Sequence, residues 1–134
     1  MDAELIFLGT IRSQLTRLES CPKQGREGAP PARVEILPEF KDAIEGMAPG
    51  DRVIILTWFH QSDRRILQVH PRGNPVNPLT GVFLTRSPAR PNPVGLHPVR
   101  VLSVDDQGIE VTPMEALDGT PVIDIKVDLI PKKR

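Results

Sequence analysis

The sequence predicts a mainly β fold: a single-domain β-barrel spanning residues 1–134, built from six or seven short strands with one short helix. Three observations point to it. Apolar or alternating runs of five to ten residues recur along the chain, each closed off by glycine, proline or Asp-Gly. No strand–helix–strand rhythm, internal repeat or low-complexity tract interrupts them. The fifteen prolines are spread over the 134 residues, which favours short elements and stiff loops over long helices.

The elements follow in order. Residues 4–12 (ELIFLGTIR) are apolar and β-rich and read as an opening strand. Residues 13–33 are mixed and proline-containing and read as a long irregular loop, a form often tied to function. Residues 33–37 alternate as a strand. Residues 38–46 read as the helix: Pro38 suits its first position, Glu39 its positive end and Gly46 its stop. Phe40, Ala43, Ile44 and Met47 then face the core. After a Pro49-Gly50-Asp51 turn, residues 52–59 (RVIILTWF) read as a central strand buried on both faces.

Further strands are expected at 81–86, 95–104 and 109–112, the last two joined by an Asp105-Asp106-Gln107-Gly108 turn. Asp118-Gly119 opens another turn. Behind it, residues 122–127 alternate, with Ile123, Ile125 and Val127 on one face and Val122, Asp124 and Lys126 on the other.

Composition narrows the function classes. Cys21 is the lone cysteine, which excludes an internal disulfide and a cysteine-based metal framework and suits a reducing compartment. His60, His70 and His97 lack metal-site spacing, so no metal is expected. Acidic residues open the chain where a secretory signal would be basic, and the longest apolar run is far too short for a bilayer. A soluble cytoplasmic protein without a membrane partner is the expectation.

Net charge is zero but unevenly placed. Six arginines (64, 65, 72, 86, 90, 100) and no carboxylate lie between Arg64 and Val104. Seventeen bases less these six leave eleven against seventeen acids elsewhere, a charge of −6. A basic middle of this kind suits an anionic partner. Its centre is Thr85-Arg86-Ser87-Pro88-Ala89-Arg90-Pro91-Asn92-Pro93-Val94-Gly95-Leu96. The prolines exclude a helix and stiffen the path of Arg86 and Arg90, so little entropy is lost on holding a ligand. Asn92 offers donors and acceptors, and Gly95 admits a close approach to the backbone. The plainer reading is a surface loop whose prolines only add rigidity.

Two other segments carry polar groups at strand ends. Asp118-Gly119-Thr120-Pro121 precedes the last strand, and His60-Gln61 follows the central one. There is neither a Gly-x-Gly-x-x-Gly fingerprint nor a Walker loop, so a nucleotide-like ligand needs another mode of binding.

Taken together, Gly81-Val82-Phe83, Thr85-Arg86-Ser87-Pro88-x-Arg90-Pro91-Asn92-Pro93-x-Gly95-Leu96 and Asp118-Gly119-Thr120-Pro121-Val122-x-Asp124-Ile125-Lys126 resemble the TsaA-like, or TrmO, family. The resemblance spans residues 6–131. It implies a β-barrel methyltransferase that uses S-adenosyl-L-methionine (SAM), holds it near a homodimer interface, and methylates N6 of threonylcarbamoyl-adenosine beside the anticodon of tRNA. Carried over by motif, Arg86, Leu96, Asp118, Gly119, Thr120 and Pro121 contact SAM, as do His60 and Gln61 and the Pro22-Lys23-Gln24 block. Arg90, Asn92 and Lys126 are assigned to the substrate. The catalytic base is unassigned, with His60 and Asp124 as candidates.

Two departures stand out. Where the family reads Ser-Pro-Tyr and then Pro-Arg-Gln, this chain has Ser13-Gln14-Leu15 and then Pro22-Lys23-Gln24, and lysine lacks the planar fork of arginine. Set against the resemblance, the C-terminal extension of longer members is expected to be lacking. Tyrosine is absent too and Trp58 lies within the expected buried strand, so base stacking falls to phenylalanine, histidine or arginine. The alternatives are a non-catalytic SAM- or nucleotide-binding module and a methyltransferase of the same fold with a non-tRNA acceptor.

Overall fold

The computed structural model describes residues 3–15 and 29–129. Its strands are β1 (Gly9–Arg12), β2 (Ala32–Ile36), β3 (Arg52–Trp58), β4 (Gln68–Val69), β5 (Thr80–Gly81), β6 (Val94–Asp105), β7 (Gly108–Thr112) and β8 (Pro121–Val127). Six of them close a barrel in the order β1-β2-β7-β6-β3-β8, every pairing antiparallel. The β4–β5 pair stands apart, within the long excursion 59–93 between β3 and β6. The mainly β barrel expected from the sequence is what forms.

The core is made by alternation. Val53, Ile55 and Thr57 of β3 point inward with Val99, His97 and Gly95 of β6 opposite them. Ile11, Val34, Val101, Ile109, Val111 and Val122 complete the interior, and Met114 plugs it from the loop after β7. The β6–β7 hairpin turns on Asp106-Gln107, with Asp105 opposite Gly108. Gly108 has a positive φ, and a Cβ there would fall 2.0 Å from the Val34 carbonyl oxygen, so only glycine lets β2 pack against β7.

Several expectations need correction. Only Gly9–Arg12 of the opening run is strand, and Leu5, Ile6 and Phe7 are exposed. The pairing partner β2 ends at Ile36, and two residues later Pro38, which has no N–H, begins a 3₁₀ helix, Pro38–Ile44. Within it Ile44 is buried, but Ala43, assigned to the core, is exposed. β3 is not buried on both faces: Ile54, Leu56 and Trp58 point outward. Residues 81–86 are not a strand, because beyond Gly81 no strand among the described residues pairs with them. Val82–Leu84 instead forms a 3₁₀ turn.

β8 also departs from simple alternation. Its register against β3 shifts between Leu56 and Thr57, where Leu56 faces Asp124 but Thr57 faces Val122. The bulge inserts Ile123 and puts both Val122 and Ile125 inward, although the sequence pattern assigns them opposite faces.

Candidate functional site

β3 ends, and β6 and β8 begin, at the same end of the barrel, and these three strands are neighbours in the order β6-β3-β8. That adjacency gathers most of the motif residues. The 118–121 turn leads into β8, His60-Gln61 leave β3, and the proline-rich segment delivers Val94 and Leu96 to β6. On the outer face, Leu96 sits opposite Leu56, which has Asp124 on its other side. The next rows are Trp58 with Val94 above, and Pro98, Ile54 and Lys126 below. The result is an unusually apolar outer wall with one ion pair at its β8 edge, Asp124 to Lys126 at 3.4 Å.

The 118–121 turn is fixed by backbone bonds. The Asp118 N–H donates to the Leu15 carbonyl (2.7 Å) and the Gly119 N–H to that of Ile11 (2.8 Å). The Asp118 carboxylate accepts the Ser13 N–H at 3.0 Å. Thr120 is buried, its hydroxyl donating to the Leu117 carbonyl (2.7 Å). Gly119 has φ +88, and a Cβ there would meet nothing within 4 Å, so the turn's outer side is open. Pro121 pairs with Thr10 in the barrel wall.

The two motif arginines play different parts. Arg90 folds back into its own loop and donates to the carbonyls of Thr85 (3.0 Å), Ser87 (3.1 Å) and Val82 (2.9 Å). Arg86 is exposed and has no hydrogen-bond or ion-pair partner among the described residues, which leaves its guanidinium for an anion. The Asn92 side chain accepts from Arg64 at 3.0 Å, while Arg64 also donates to the Pro91 carbonyl (2.7 Å) and lies over the Trp58 ring at 5.2 Å. This clamp ties the start of the excursion to its end. It also corrects the reading of Trp58: the indole is half-buried on the outer wall and its face is already stacked by a guanidinium.

His60 and Gln61 are exposed in a turn at the mouth, the His60 N–H donating to the Trp58 carbonyl. Pro22, Lys23 and Gln24 lie outside the described residues. The close approach expected at Gly95 comes from inside: a Cβ would fall 2.3 Å from Thr57 Oγ1 and 2.6 Å from the Phe59 ring. A cleft of about 810 Å³ opens toward the opposite end beneath the 3₁₀ helix, between Phe40, Ile44 and Ile125. Of the motif residues, Asp124, Ile125 and Lys126 line it.

A family model described as the N-terminal domain of tRNA-methyltransferase O matches residues 10–129. The chain belongs to the TrmO family. It is similar to a probable SAM-binding protein of Pyrococcus horikoshii, 53% identical over 98 residues and covering 70% of each chain. A probable SAM-binding protein of Methanothermobacter thermautotrophicus is 40% identical over 126 residues, 94% of this chain and 90% of that one. A crystal structure of TrmO from Pseudomonas aeruginosa superposes with a TM-score of 0.74 at 30% identity, covering all of this chain and 62% of that one. A second TrmO structure gives 0.76 at 31%, covering 96% and 55%. The chain therefore spans between 55% and 62% of the length of those TrmO chains.

Within this TrmO barrel, one polar group was not singled out from the sequence. His97, 2% exposed, lies inside the mouth, its Nε2 2.8 Å from the hydroxyl of buried Thr57 and its Nδ1 2.7 Å from the Glu115 carboxylate. The Phe59 ring packs edge-on at 6.0 Å between centroids. Parity was the available signal: His97 alternates in step with Gly95, Val99 and Val101, the inward residues of β6.

Proposed function

We propose that this chain is a SAM-dependent methyltransferase that acts on N6 of threonylcarbamoyl-adenosine beside the anticodon of tRNA, as a homodimer. The observation that carries the reading is the meeting, at one end of three adjacent strands, of the 118–121 turn, His60-Gln61 and the start of β6 with Leu96. The names of the relatives, SAM-binding proteins and TrmO, agree with it.

The groups present fit the cofactor. Exposed Arg86 suits the methionine carboxylate, the apolar Leu96–Leu56 row suits the adenine, and the open side of Gly119 leaves room beside the turn's polar atoms. Lys23 would add a single ammonium where the family has a guanidinium. SAM, when bound, supplies an electrophilic methyl group. The protein's part is to hold the acceptor amine in line with it and to exclude water. The proton that leaves the amine passes to His60, which is exposed at the mouth, in preference to Asp124, which is paired with Lys126. Asn92 and Lys126 face the RNA, and Arg90 contributes by fixing the loop. A second copy of the chain would cover the apolar outer wall together with Phe83 and Leu84, which are 80% and 85% exposed.

The test is transfer of tritium from labelled SAM. The label should enter tRNA bearing threonylcarbamoyl-adenosine and not unmodified tRNA. SAM binding without transfer to any RNA would instead identify a binding module, and transfer to some other acceptor a different methyltransferase of this fold.

A further inference from the structure

The Thr57–His97–Glu115 line has no part in the chemistry described above. Thr57 is fully buried inside the barrel, which rules its hydroxyl out as a nucleophile for any external substrate. The line instead joins two parts of the molecule. Thr57 and His97 belong to the wall strands β3 and β6, whereas Glu115 belongs to the 113–120 loop that caps the barrel and ends in the 118–121 turn.

Buried polar groups in an apolar barrel are retained at a cost, and here buried Thr57 and His97 are satisfied along the line, hydroxyl to imidazole and imidazole to the half-buried Glu115 carboxylate. The neighbours on either side of Glu115 are Met114 and Ala116, both buried, so the carboxylate sits on a segment already seated in the mouth. Two residues on, Leu117 accepts both the N–H and the hydroxyl of Thr120. Movement of Glu115 therefore carries directly into the turn. Glycine at 95 is needed for the same arrangement, because a Cβ would occupy the space of the Thr57 hydroxyl and the Phe59 ring.

We infer that His97 is a positioning residue: through Glu115 it locks the capping loop to the β3–β6 wall and so sets the distance between the 118–121 turn and the Arg86–Leu96 side of the site. The inference rests on the cofactor reading given above. A buried strut aimed at the loop that carries one wall of the site preorganises that site before any ligand arrives.

The experiment compares Glu115→Ala, Glu115→Gln and, as a stability-matched control in the barrel core, Val99→Ala. SAM affinity is read by calorimetry, and exchange of the Gly119 amide by NMR. Loss of a charge-assisted bond should weaken SAM binding about tenfold in Glu115→Ala and speed Gly119 exchange about as much. Glu115→Gln keeps an acceptor for Nδ1 and should recover most of both. Val99→Ala should lower the melting temperature yet leave SAM affinity within about twofold, being remote from the turn. If Glu115→Ala binds SAM as the wild type does with unchanged Gly119 exchange, the line is only structural and the inference is overturned. A wild-type protein that binds no SAM rejects the functional reading and with it the cofactor half of the inference. Gly119 exchange then still decides whether Glu115 holds the turn.

Discussion

The barrel wall and the 59–93 excursion satisfy their backbone polar groups by different means. In the wall, antiparallel ladders pair strand to strand around a closed circle, and the inward side chains form one apolar core. The excursion has two paired residues on each side of β4–β5, several tight turns, and buried Val82 as its main apolar anchor. Some of its carbonyls accept from turn N–H groups, such as that of Leu67 from Val82 (2.9 Å), and others are taken up by side chains: three by Arg90, one by Arg64, and that of Asn77 by a contact with His70 at 2.8 Å. The wall thus draws on burial, which is cooperative and spread over the whole barrel, whereas the excursion draws on a few polar contacts that can be removed singly. A binding surface built the second way can differ between relatives without unfolding the first.

The sharpest test of that contrast is in the wall. Ile55 is fully buried, faces His97 and Ile125, and lies at the middle of β3. Ile55→Ala should cost about 3 kcal/mol in urea unfolding, the transfer loss plus a residual cavity. Because the wall is cooperative, the loss should appear equally in far-UV circular dichroism and in Trp58 fluorescence. Separate transitions for the two probes would show that wall and mouth unfold independently.

In the excursion the corresponding change is Arg90→Lys. It keeps the charge and loses the fork that reaches three carbonyls. The expected cost is about 1 kcal/mol, confined to the loop, with faster proteolysis between residues 82 and 90 and a melting temperature close to wild type. Weakened RNA binding with the loop still ordered would instead mean that Arg90 meets the ligand directly, and the division of labour between Arg86 and Arg90 would fall.

The same contrast explains what could be read in the sequence. The barrel, five of its six strands to within a residue or two at either end, and the Asp105-to-Gly108 turn were legible because period-two alternation and Asp-Gly turns are local signals. Pairing partners are not local. The first strand is shorter than its apolar run because its neighbour stops at Ile36, and residues 82–86 fail to form a strand because no strand among the described residues pairs with them. The bulge at Ile123 could not be seen in a pattern that alternates smoothly in sequence. In the site, strand-end placement brought His60, Gln61 and the 118–121 turn to notice. The split between Arg86 and Arg90 depends on which carbonyls lie within reach of each guanidinium, and only the fold decides that. His97 was passed over because a histidine amid prolines and valines reads as unremarkable until its parity with Val99 is set against the barrel interior.

The smallest expected effect lies at the far end of the wall, on the solvent side of the β6–β7 hairpin. Arg33 pairs with Asp105 across it, which holds the Asp105 carboxyl below its ordinary 3.8 and raises the Arg33 guanidinium. The Asp105 carboxylate also accepts the Gln107 N–H within the turn. Since its folded pKa is depressed, the pair's contribution is present above the unfolded value and is lost as the pH falls through the folded one. Asp105 is fully exposed, so solvent screening keeps the contribution slight. Asp105→Asn should therefore leave the melting temperature at pH 7 nearly unchanged and reduce only its decline on acidification below 3.8, an effect that should also shrink in high salt. A large loss at pH 7 would show that the hairpin is held as the excursion is, by individual polar contacts, and that the contrast between the two regions stops short of this end of the barrel.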